Sequence, residues 1–451
     1  MKVALVFLVL IGAIVIGLPF SIEGDASLTG AVQSFLSYAF TATGFLLGLL
    51  TIFMSRSLSD DLVNRQLFLI VTKPVARWQF LAGKWMGITG LNVMFLCAAG
   101  VTAYGMVHYI MRTHPPLDDR FDKQELTNEV LVARHARPLR RPDFSRDIDA
   151  EFERNREEGL YDAVPDFDPQ AEKARLANKY SARWRVVGPG EGRIFYFEQV
   201  LVDRNRQPYI QLRYMADVSN YAPDEIFRAT WIFGDRARGT PERRADVRHM
   251  VGRYHIVRVA ADVVAPDGTL KVTFLNRNPF ADEPDFRNVI DFKPSEPVEV
   301  LFIVGSFEGN LVRLLILMMC KLMFLAALAI LAASIFSFPV ACLCALTVYV
   351  FAGAQQFLLD SLDFLSDDYA TMFSSAQEFF AQLLIFLFQA VCFVVPDFSR
   401  YDAVESLVSG RNVGLVWVLQ AVFELALLKT FIVLGLAMLL FQRREVAEVS
   451  V

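Results

Sequence analysis

The sequence predicts an α-helical polytopic membrane protein with six transmembrane helices, a re-entrant external element and an inserted, mainly β, sandwich-like extracytoplasmic domain. Three observations predict this fold class. The 451 residues are 54% hydrophobic and their mean hydropathy is +0.37, which is too apolar for an ordinary soluble domain. The apolar residues are concentrated in two blocks, at residues 1–111 and 309–451. Residues 112–308, between the blocks, carry dense mixed charge and cannot lie within lipid.

The first block contains three predicted spans. Val3–Phe20 is either a signal peptide or a retained first span, and we prefer the span because no clear small-x-small cleavage site precedes Ile22. Residues 31–54 and 80–111 form the second and third spans, since each is long enough to cross a hydrocarbon core of roughly 30 Å. Both interpretations of the first segment place residue 25 outside.

The loop at residues 55–84 joins the second and third spans and carries an excess of positive charge. From residue 60 onward its charged residues are Asp60, Asp61, Arg65, Lys73, Arg77 and Lys84. Short loops rich in Lys and Arg remain on the cytoplasmic side, so this loop is predicted to be cytoplasmic and residues 112–308 extracytoplasmic. Apolar residues at helical spacing, among them Leu62 and Leu69, predict a short amphipathic helix that Pro74 interrupts.

The same loop contains the string T-K-P-V-A-R at residues 72–77, and Gly83 and Lys84 follow ahead of the next apolar run. This order of residues resembles the first cytoplasmic loop of ABC-2 type ABC-transporter permeases. In that family the loop forms a coupling helix that docks on the ATPase subunit. The resemblance implies that the surface which binds the ATPase consists of Leu62, Arg65, Leu69, Lys73, Pro74, Arg77 and Lys84. On charge alone, the alternative is a loop that only sets the topology.

The insert at residues 112–308 has the size of a typical domain. It is polar and partly helical over 112–182 and β-rich over 183–308. In the second part, short stretches rich in β-branched and aromatic residues are separated by turn signals, which favours an antiparallel sandwich. These stretches are residues 193–200, 209–214, 226–233, 254–260, 270–275 and 298–304. The four histidines of the insert show no metal-ligand spacing, so no metal site is predicted.

The second block contains spans four to six and the re-entrant element. Residues 310–334 are predicted to run inward, 340–359 outward and 413–441 inward, toward the arginines at the C-terminal end. A full span at 372–395 would put either the acidic residues before it or those arginines on the wrong side. A re-entrant pair of short helices, buried against protein, is therefore predicted there. ABC-2 permeases have a re-entrant element at this place.

Three ionisable residues lie within the predicted spans of the second block: Lys321, Glu424 and Lys429. Charges in lipid are costly and usually face protein or a cavity. Lys321 and Glu424 lie at matching depth and have opposite sign, so they are predicted to pair, within one subunit or across a dimer. The alternative is that each faces a polar path alone. Lys429 is expected to extend toward the inner surface.

The sequence contains no G-x-x-x-x-G-K-[ST] motif, so this chain cannot bind ATP in the P-loop manner. The resemblance implies a non-enzymatic permease subunit without a cofactor of its own. ATP and Mg would be bound by a separate ATPase, whose ATP hydrolysis would drive substrate export or mechanical work on the external domain. A second permease subunit, identical or related, and membrane lipid are the other expected partners. Nucleic acid is not expected, because the net charge is only −5.

The expected location is the plasma (inner) membrane of a bacterium, with both termini cytoplasmic. A second function from a different class is also consistent with the composition. In that alternative the chain is a non-transporting membrane anchor or sensor, whose β-domain binds an envelope partner or a ligand. The loop at residues 55–84 discriminates between the two, because an anchor needs no amphipathic helix followed by this basic string.

Overall fold

A computed structural model describes residues 2–20, 27–63, 76–113, 121–140, 142–161, 167–202, 208–218, 225–280, 288–292, 298–369, 392 and 395–443. The chain forms two compact units. The helical unit comprises Met1–Ala133 and Gly305–Val451, and the β unit comprises Arg134–Val304. Within the described residues, six helices are long and apolar enough to cross a membrane. The predicted combination of long apolar helices and a separate β region is confirmed.

The described residues form twelve α-helices. In chain order they are α1 Lys2–Gly17, α2 Leu28–Met54, α3 Arg56–Val63, α4 Arg77–Thr113, α5 Phe121–Glu125, α6 Ser145–Glu157, α7 Pro169–Arg185, α8 Phe307–Ile335, α9 Phe338–Tyr369, α10 Val404–Val408, α11 Leu415–Ala421 and α12 Thr430–Arg443. Two π-helical segments extend them, Leu126–Val130 after α5 and Val422–Lys429 between α11 and α12. The last candidate span is therefore a composite of α11, a π segment and α12.

The centre of the helical unit is α8. It contacts α2, α3, α4, α9, α10 and every part of the last span. Of its apolar window 61% is buried, against 11% for the first candidate span. A helix that is apolar all round is expected to be surrounded by other helices. Small residues such as Ala326, Ala327 and Ala333, all fully buried, allow the neighbouring backbones to approach closely.

The start of α8 is held by polar contacts to the segment before α11. Ser306 caps the helix, because its Oγ accepts a hydrogen bond from the N–H of Gly309 at 3.4 Å. The Asn310 side chain accepts from the N–H of Val413 at 2.7 Å and donates to the carbonyl of Arg411. These contacts fix the beginning of the last span against α8.

A pair of glycines brings α2 close to α9. Gly44 and Gly48 are four residues apart and so lie on one face of α2. A Cβ atom at Gly48 would lie 2.6 Å from the ring of Tyr349 on α9, and the Tyr349 hydroxyl lies 3.4 Å from the Gly44 carbonyl oxygen. This is the small-x-x-x-small packing that helices in membranes use, and it was not among the predicted features.

The β unit is shorter than the predicted insert of 112–308. The segment that contains Leu126 and Val130 belongs to the helical unit, because both side chains are buried in its apolar core. Within the β unit, α6 and α7 pack against each other. Salt bridges join them from Lys173 to Asp149 and from Lys179 to Glu151, each at 2.7 Å.

The described part of the chain contains eleven strands. They are β1 Val132–Pro138, β2 Val186–Val187, β3 Gly192–Phe197, β4 Tyr209–Met215, β5 Asp217–Val218, β6 Ile226–Phe233, β7 Arg243–Met250, β8 Tyr254–Ala260, β9 Leu270–Leu275, β10 Ile290–Asp291 and β11 Glu299–Ser306. The sheet orders are β1-β11-β4-β8, β2-β10-β5 and β3-β9-β6-β7. The pairs β3–β9, β9–β6, β6–β7, β4–β8 and β4–β11 are antiparallel.

An aromatic core joins the two four-stranded sheets of the β unit. Trp231 on β6 is fully buried, and its ring centroid lies 4.8 Å from that of Tyr214 on β4 and 4.7 Å from that of Phe274 on β9.

The strands β1 and β7 were not predicted. Both are rich in arginine, with the sequences VARHARP and RRADVRHM, and lie at the ends of their sheets. Charged residues on an edge strand suppress further strand pairing but hide the strand pattern.

Two histidines that the sequence shows as isolated lie together in the β unit. The rings of His249 and His255 stack with centroids 4.1 Å apart, and His249 Nδ1 lies 2.7 Å from the hydroxyl of Tyr214. Burial, and then the neighbouring His255, lower the pKa of His249 from 6.5 to about 4. The folded β unit therefore keeps His249 neutral at pH values where an unfolded histidine is charged.

This difference predicts a pH dependence of the β unit. Between pH 6.5 and about 4 the unfolded chain binds more protons at His249 than the folded chain does, so stability falls as the pH falls through this window. Hydrogen exchange of the intact protein, corrected for intrinsic rates, should show β4 and β7 losing protection from pH 7 to pH 5. The loss should be smaller in His249→Gln and unchanged in the control His108→Gln. Equal losses in all three proteins would contradict the prediction.

Candidate functional site

The end of the helical unit that carries α3 is closed by an apolar cluster, and we call this region the loop end. The cluster joins α3, the first turns of α4, the second half of α8 and the end of α12. Its fully or nearly fully buried side chains include Leu58, Leu81, Trp85, Ile330 and Phe441. The Trp85 ring N–H also donates to the Met323 carbonyl of α8 at 3.1 Å. The loop end is therefore a packed region rather than a loose connection.

The described side chains of the short helix α3 divide into a buried and an exposed side, whereas most of the predicted amphipathic helix lies outside the described residues. Leu58 is buried in the loop-end cluster, whereas Arg56 and Asp60 are exposed and form a salt bridge at 3.3 Å. The predicted contact residue Leu62 lies in the last turn of α3. Four further predicted contacts fall outside the described residues: Arg65, Leu69, Lys73 and Pro74.

Ionic and polar contacts connect α3 to α4, and α4 to α12. The Lys84 ammonium lies 2.6 Å from an Asp61 carboxylate oxygen and donates to the Ser57 hydroxyl at 3.1 Å. At the start of α4, Arg77 Nη1 donates to the Gln442 carbonyl at 3.1 Å. Two of the predicted partner contacts, Arg77 and Lys84, thus make contacts within the chain, and their binding to a partner stays a prediction.

A cavity of about 420 Å³ lies between α2, α8, α9 and the segment at residues 398–404. Most of its walls are apolar. Lys321 of α8 and Asp402 are the charged residues among the described lining. The inner wall includes Phe40 and Leu325, which are almost completely buried. On the outer side, Phe45 of α2 is 51% exposed and Val350 of α9 is 59% exposed, so the cavity opens at the surface between these two helices.

The ammonium of Lys321 has no hydrogen bond and no salt bridge with the described residues, and the carboxylates that influence it are those of Asp402 and Asp397. Both carboxylates are occupied locally. Asp397 accepts from the Ser399 hydroxyl and from the Arg400 N–H, and Asp402 accepts from the Val404 N–H at 3.1 Å. Lys321 therefore presents free donors to the cavity.

The predicted pair of Lys321 with Glu424 within one chain is wrong. Glu424 pairs with Lys429 at 3.2 Å and accepts a hydrogen bond from the Tyr401 hydroxyl at 2.6 Å. The reason is the π segment, because i and i+5 fall on one face of a π-helix but on different faces of an α-helix. Lys429 accordingly points to Glu424, which replaces its expected extension toward the inner surface.

One further predicted feature lies outside the described part of the chain. The re-entrant element at 372–395 is outside the described residues except for Cys392 and Val395. No group of three or more His, Cys, Asp and Glu side chains that could hold a metal ion occurs among the residues that the structure describes. The cavity itself had no signal in the sequence, because its walls come from four segments that are far apart in the chain.

Comparison with protein families, curated proteins and solved structures finds no match to this chain. The resemblance to ABC-2 permeases therefore depends on the loop sequence and on the order of the apolar segments. The structural features that bear on function are the loop end, the cavity and the charges of the last span.

The Glu424–Lys429 pair predicts a pattern of stability in variants. Removing one partner of a buried ion pair costs up to ~3–5 kcal/mol. The cost should be smaller here, because the side chains of Lys429 and Glu424 are 20% and 28% exposed. Lys429→Met should lower the unfolding temperature of the purified protein, and Glu424→Gln together with Lys429→Met should recover part of the loss. A double variant less stable than Lys429→Met alone would show that the pair contributes nothing.

Proposed function

We propose that this chain is the transmembrane permease subunit of an ABC transporter of the ABC-2 type. A separate cytoplasmic ATPase docks on the loop end and couples ATP hydrolysis to substrate export or to mechanical work on the β unit. The observation that carries the proposal is the anchoring of α3. This short amphipathic helix is joined to α4 by Lys84 and Asp61, and Leu58 packs it into the cluster formed with α8 and α12.

The anchoring supports coupling because it gives a docked partner a mechanical connection to the long helices. Displacement of α3 would act on α4 through the Lys84–Asp61 salt bridge and on α8 through the buried Leu58. The hydrogen bond from Arg77 to Gln442 connects α4 to α12 in turn. A loop that only sets the topology requires positive charge and no such packing. Packed helices of this kind move as units, so a displacement of α3 would be passed to its neighbours and not absorbed by gradual deformation of the chain.

The rest of the proposed assembly follows from the same interpretation. The loop end faces the cytoplasm, both termini are cytoplasmic and the β unit is extracytoplasmic, in the plasma (inner) membrane of a bacterium. Six spans are half of a usual transporter, so a second permease subunit, identical or related, completes the pathway. ATP and Mg are bound by the ATPase and not by this chain.

Charge reversal at the loop tests the docking. Arg65→Glu combined with Arg77→Glu should release the ATPase, because both cations lie on the predicted docking surface. The full chain is purified from its native membrane, and the co-purified ATPase is measured by mass spectrometry and by ATP hydrolysis. The matched control is Arg140→Glu combined with Arg236→Glu, which reverses two arginine side chains of the β unit that are 82% and 80% exposed.

The control should keep the ATPase and the loop variant should lose most of it, while both elute as folded proteins. If the unmodified chain brings down no ATPase, the proposal fails and the membrane anchor or sensor becomes the better interpretation. If both variants keep the ATPase equally, the loop is only a topological signal.

The Lys84–Asp61 salt bridge allows docking and coupling to be separated. Lys84→Met removes the connection between α3 and α4 but leaves the exposed face of α3, with Arg56 and Asp60, intact. Because Lys84 is itself a predicted docking residue, the bound ATPase is quantified as well, and we expect the stimulation per bound ATPase to fall. The exchange variant, Asp61→Lys with Lys84→Asp, should restore part of the stimulation by restoring the pair. Unchanged stimulation in Lys84→Met would show that the salt bridge has no part in coupling.

A further inference from the structure

The cavity beside Lys321 has three properties that together indicate the chemistry of the ligand it binds. Its volume of about 420 Å³ lies in the range of small-molecule sites, roughly 300–1,000 Å³. Its walls are mainly apolar, with aromatic contacts from Phe40, Tyr349 and Phe398. It contains a cation whose donors are not used by the described residues. An apolar pocket with a few converging polar groups is the usual form of a binding site.

The polar end of the cavity selects an acceptor with one negative charge. An ammonium has three donors and no acceptor, so its complement is a carboxylate or a phosphodiester oxygen. The carboxylates of Asp402 and Asp397 act on the same ammonium. Because both carboxylates accept hydrogen bonds within their own segment, the ammonium donors remain available to one further acceptor. Each added negative charge is repelled by the two carboxylates, so a head group with one charge is favoured over a head group with two.

The open side of the cavity selects an apolar body. The mouth lies between α2 and α9, and the side chains that flank it, Phe45 and Val350, are apolar and exposed. Both helices are candidate spans, so this mouth faces the hydrocarbon region if the chain is in a bilayer. A molecule entering there comes from lipid rather than from water. Farther in, Leu322 and Leu325 offer an apolar surface next to Lys321.

We propose that this cavity binds one amphiphile with a singly charged anionic head group and an acyl chain. The head group pairs with Lys321, and the chain lies along the apolar walls and leaves between Phe45 and Val350. A fatty acid carboxylate and the phosphodiester of an acidic lipid share this chemistry. The inference requires the cavity and a surrounding bilayer or micelle, and it does not require the ATPase.

Photolabelling of the purified full chain in a neutral detergent tests the site. Three probes carry the same photoreactive acyl chain: a fatty acid, a phosphatidylglycerol and a phosphatidylcholine. Labelled peptides are mapped by mass spectrometry. The acidic probes distinguish the two sources of the anion, and the choline lipid reports binding without net charge. We expect at least one acidic probe to label peptides of α8 and α9 at the cavity about ten-fold more than the choline probe, the size of one charge-assisted contact.

Two pairs of variants control for folding and for position. Lys321→Met should lose the preference for the acidic probe, and Lys321→Arg should keep it. Val350→Trp fills the mouth at an exposed position and should reduce labelling. Its matched control is Leu343→Trp, at a position on α9 that is 64% exposed and away from the cavity, and it should not.

The inference is overturned if the choline lipid labels the cavity as strongly as both acids, or if Lys321→Met is labelled like the unmodified protein. It is also overturned if Val350→Trp and Leu343→Trp are labelled equally. Labelling by only one acidic probe supports the site and identifies the source of the anion. No nucleotide or ATPase enters the experiment, so its failure and the failure of the proposed function are distinguishable.

Discussion

The packing of the helical unit depends on the burial of α8 by the helices around it. This helix is apolar around its circumference, and the surrounding helices bury most of its surface. Its alanines allow α4 and α12 to approach closely at the loop end. Polar contacts from Asn310 and Arg313 to residues 411–413 hold its other end. The other long helices therefore take their positions from α8.

The cover of α8 is incomplete at Lys321, and the cavity lies there. The same helix also carries Ile330 into the loop-end cluster. Nine residues separate these two positions, which corresponds to roughly 14 Å along the helix axis. A rigid helix that is part of both regions gives them a direct physical connection. If a partner such as the proposed ATPase displaces the loop end, α8 is the element that would carry the displacement to the cavity.

Features that depend on the composition of a single continuous segment were predictable from the sequence. The apolar blocks predicted the long helices, and alternating aromatic and β-branched residues predicted strands such as β6 and β9. The strands β1 and β7 were missed because their arginines are those of charged edge strands. The closeness of His249 and His255 was missed because it depends on how β7 and β8 follow each other through a turn. In these cases the tertiary arrangement determines the strand position or the contact, and the local sequence pattern gives little indication of either.

The candidate sites were predictable only where they are continuous in sequence. The amphipathic character of α3 was visible because Leu58, Arg56 and Asp60 lie within one turn or so of each other. The Gly44–Gly48 spacing was also visible, although its meaning depends on Tyr349 from a distant helix. The partner of Glu424 was not predictable, because depth was estimated on the assumption of a regular α-helix. The cavity is a space between elements and corresponds to no pattern of residues.

The π segment of the last span also affects how this chain can tolerate insertions and deletions. A π segment holds one more residue than the α-helix that would span the same turns. Deleting one residue within Val422–Lys429 would allow a continuous α-helix to form. Because the number of turns would stay the same, α11 would keep its face toward α8, with the fully buried Ala421 still turned inward. Deleting one residue from the regular part of α11 or α12 would instead rotate the two sides of the deletion by about 100° relative to each other. This span should therefore accept a one-residue deletion within the π segment but not in the regular helix on either side of it.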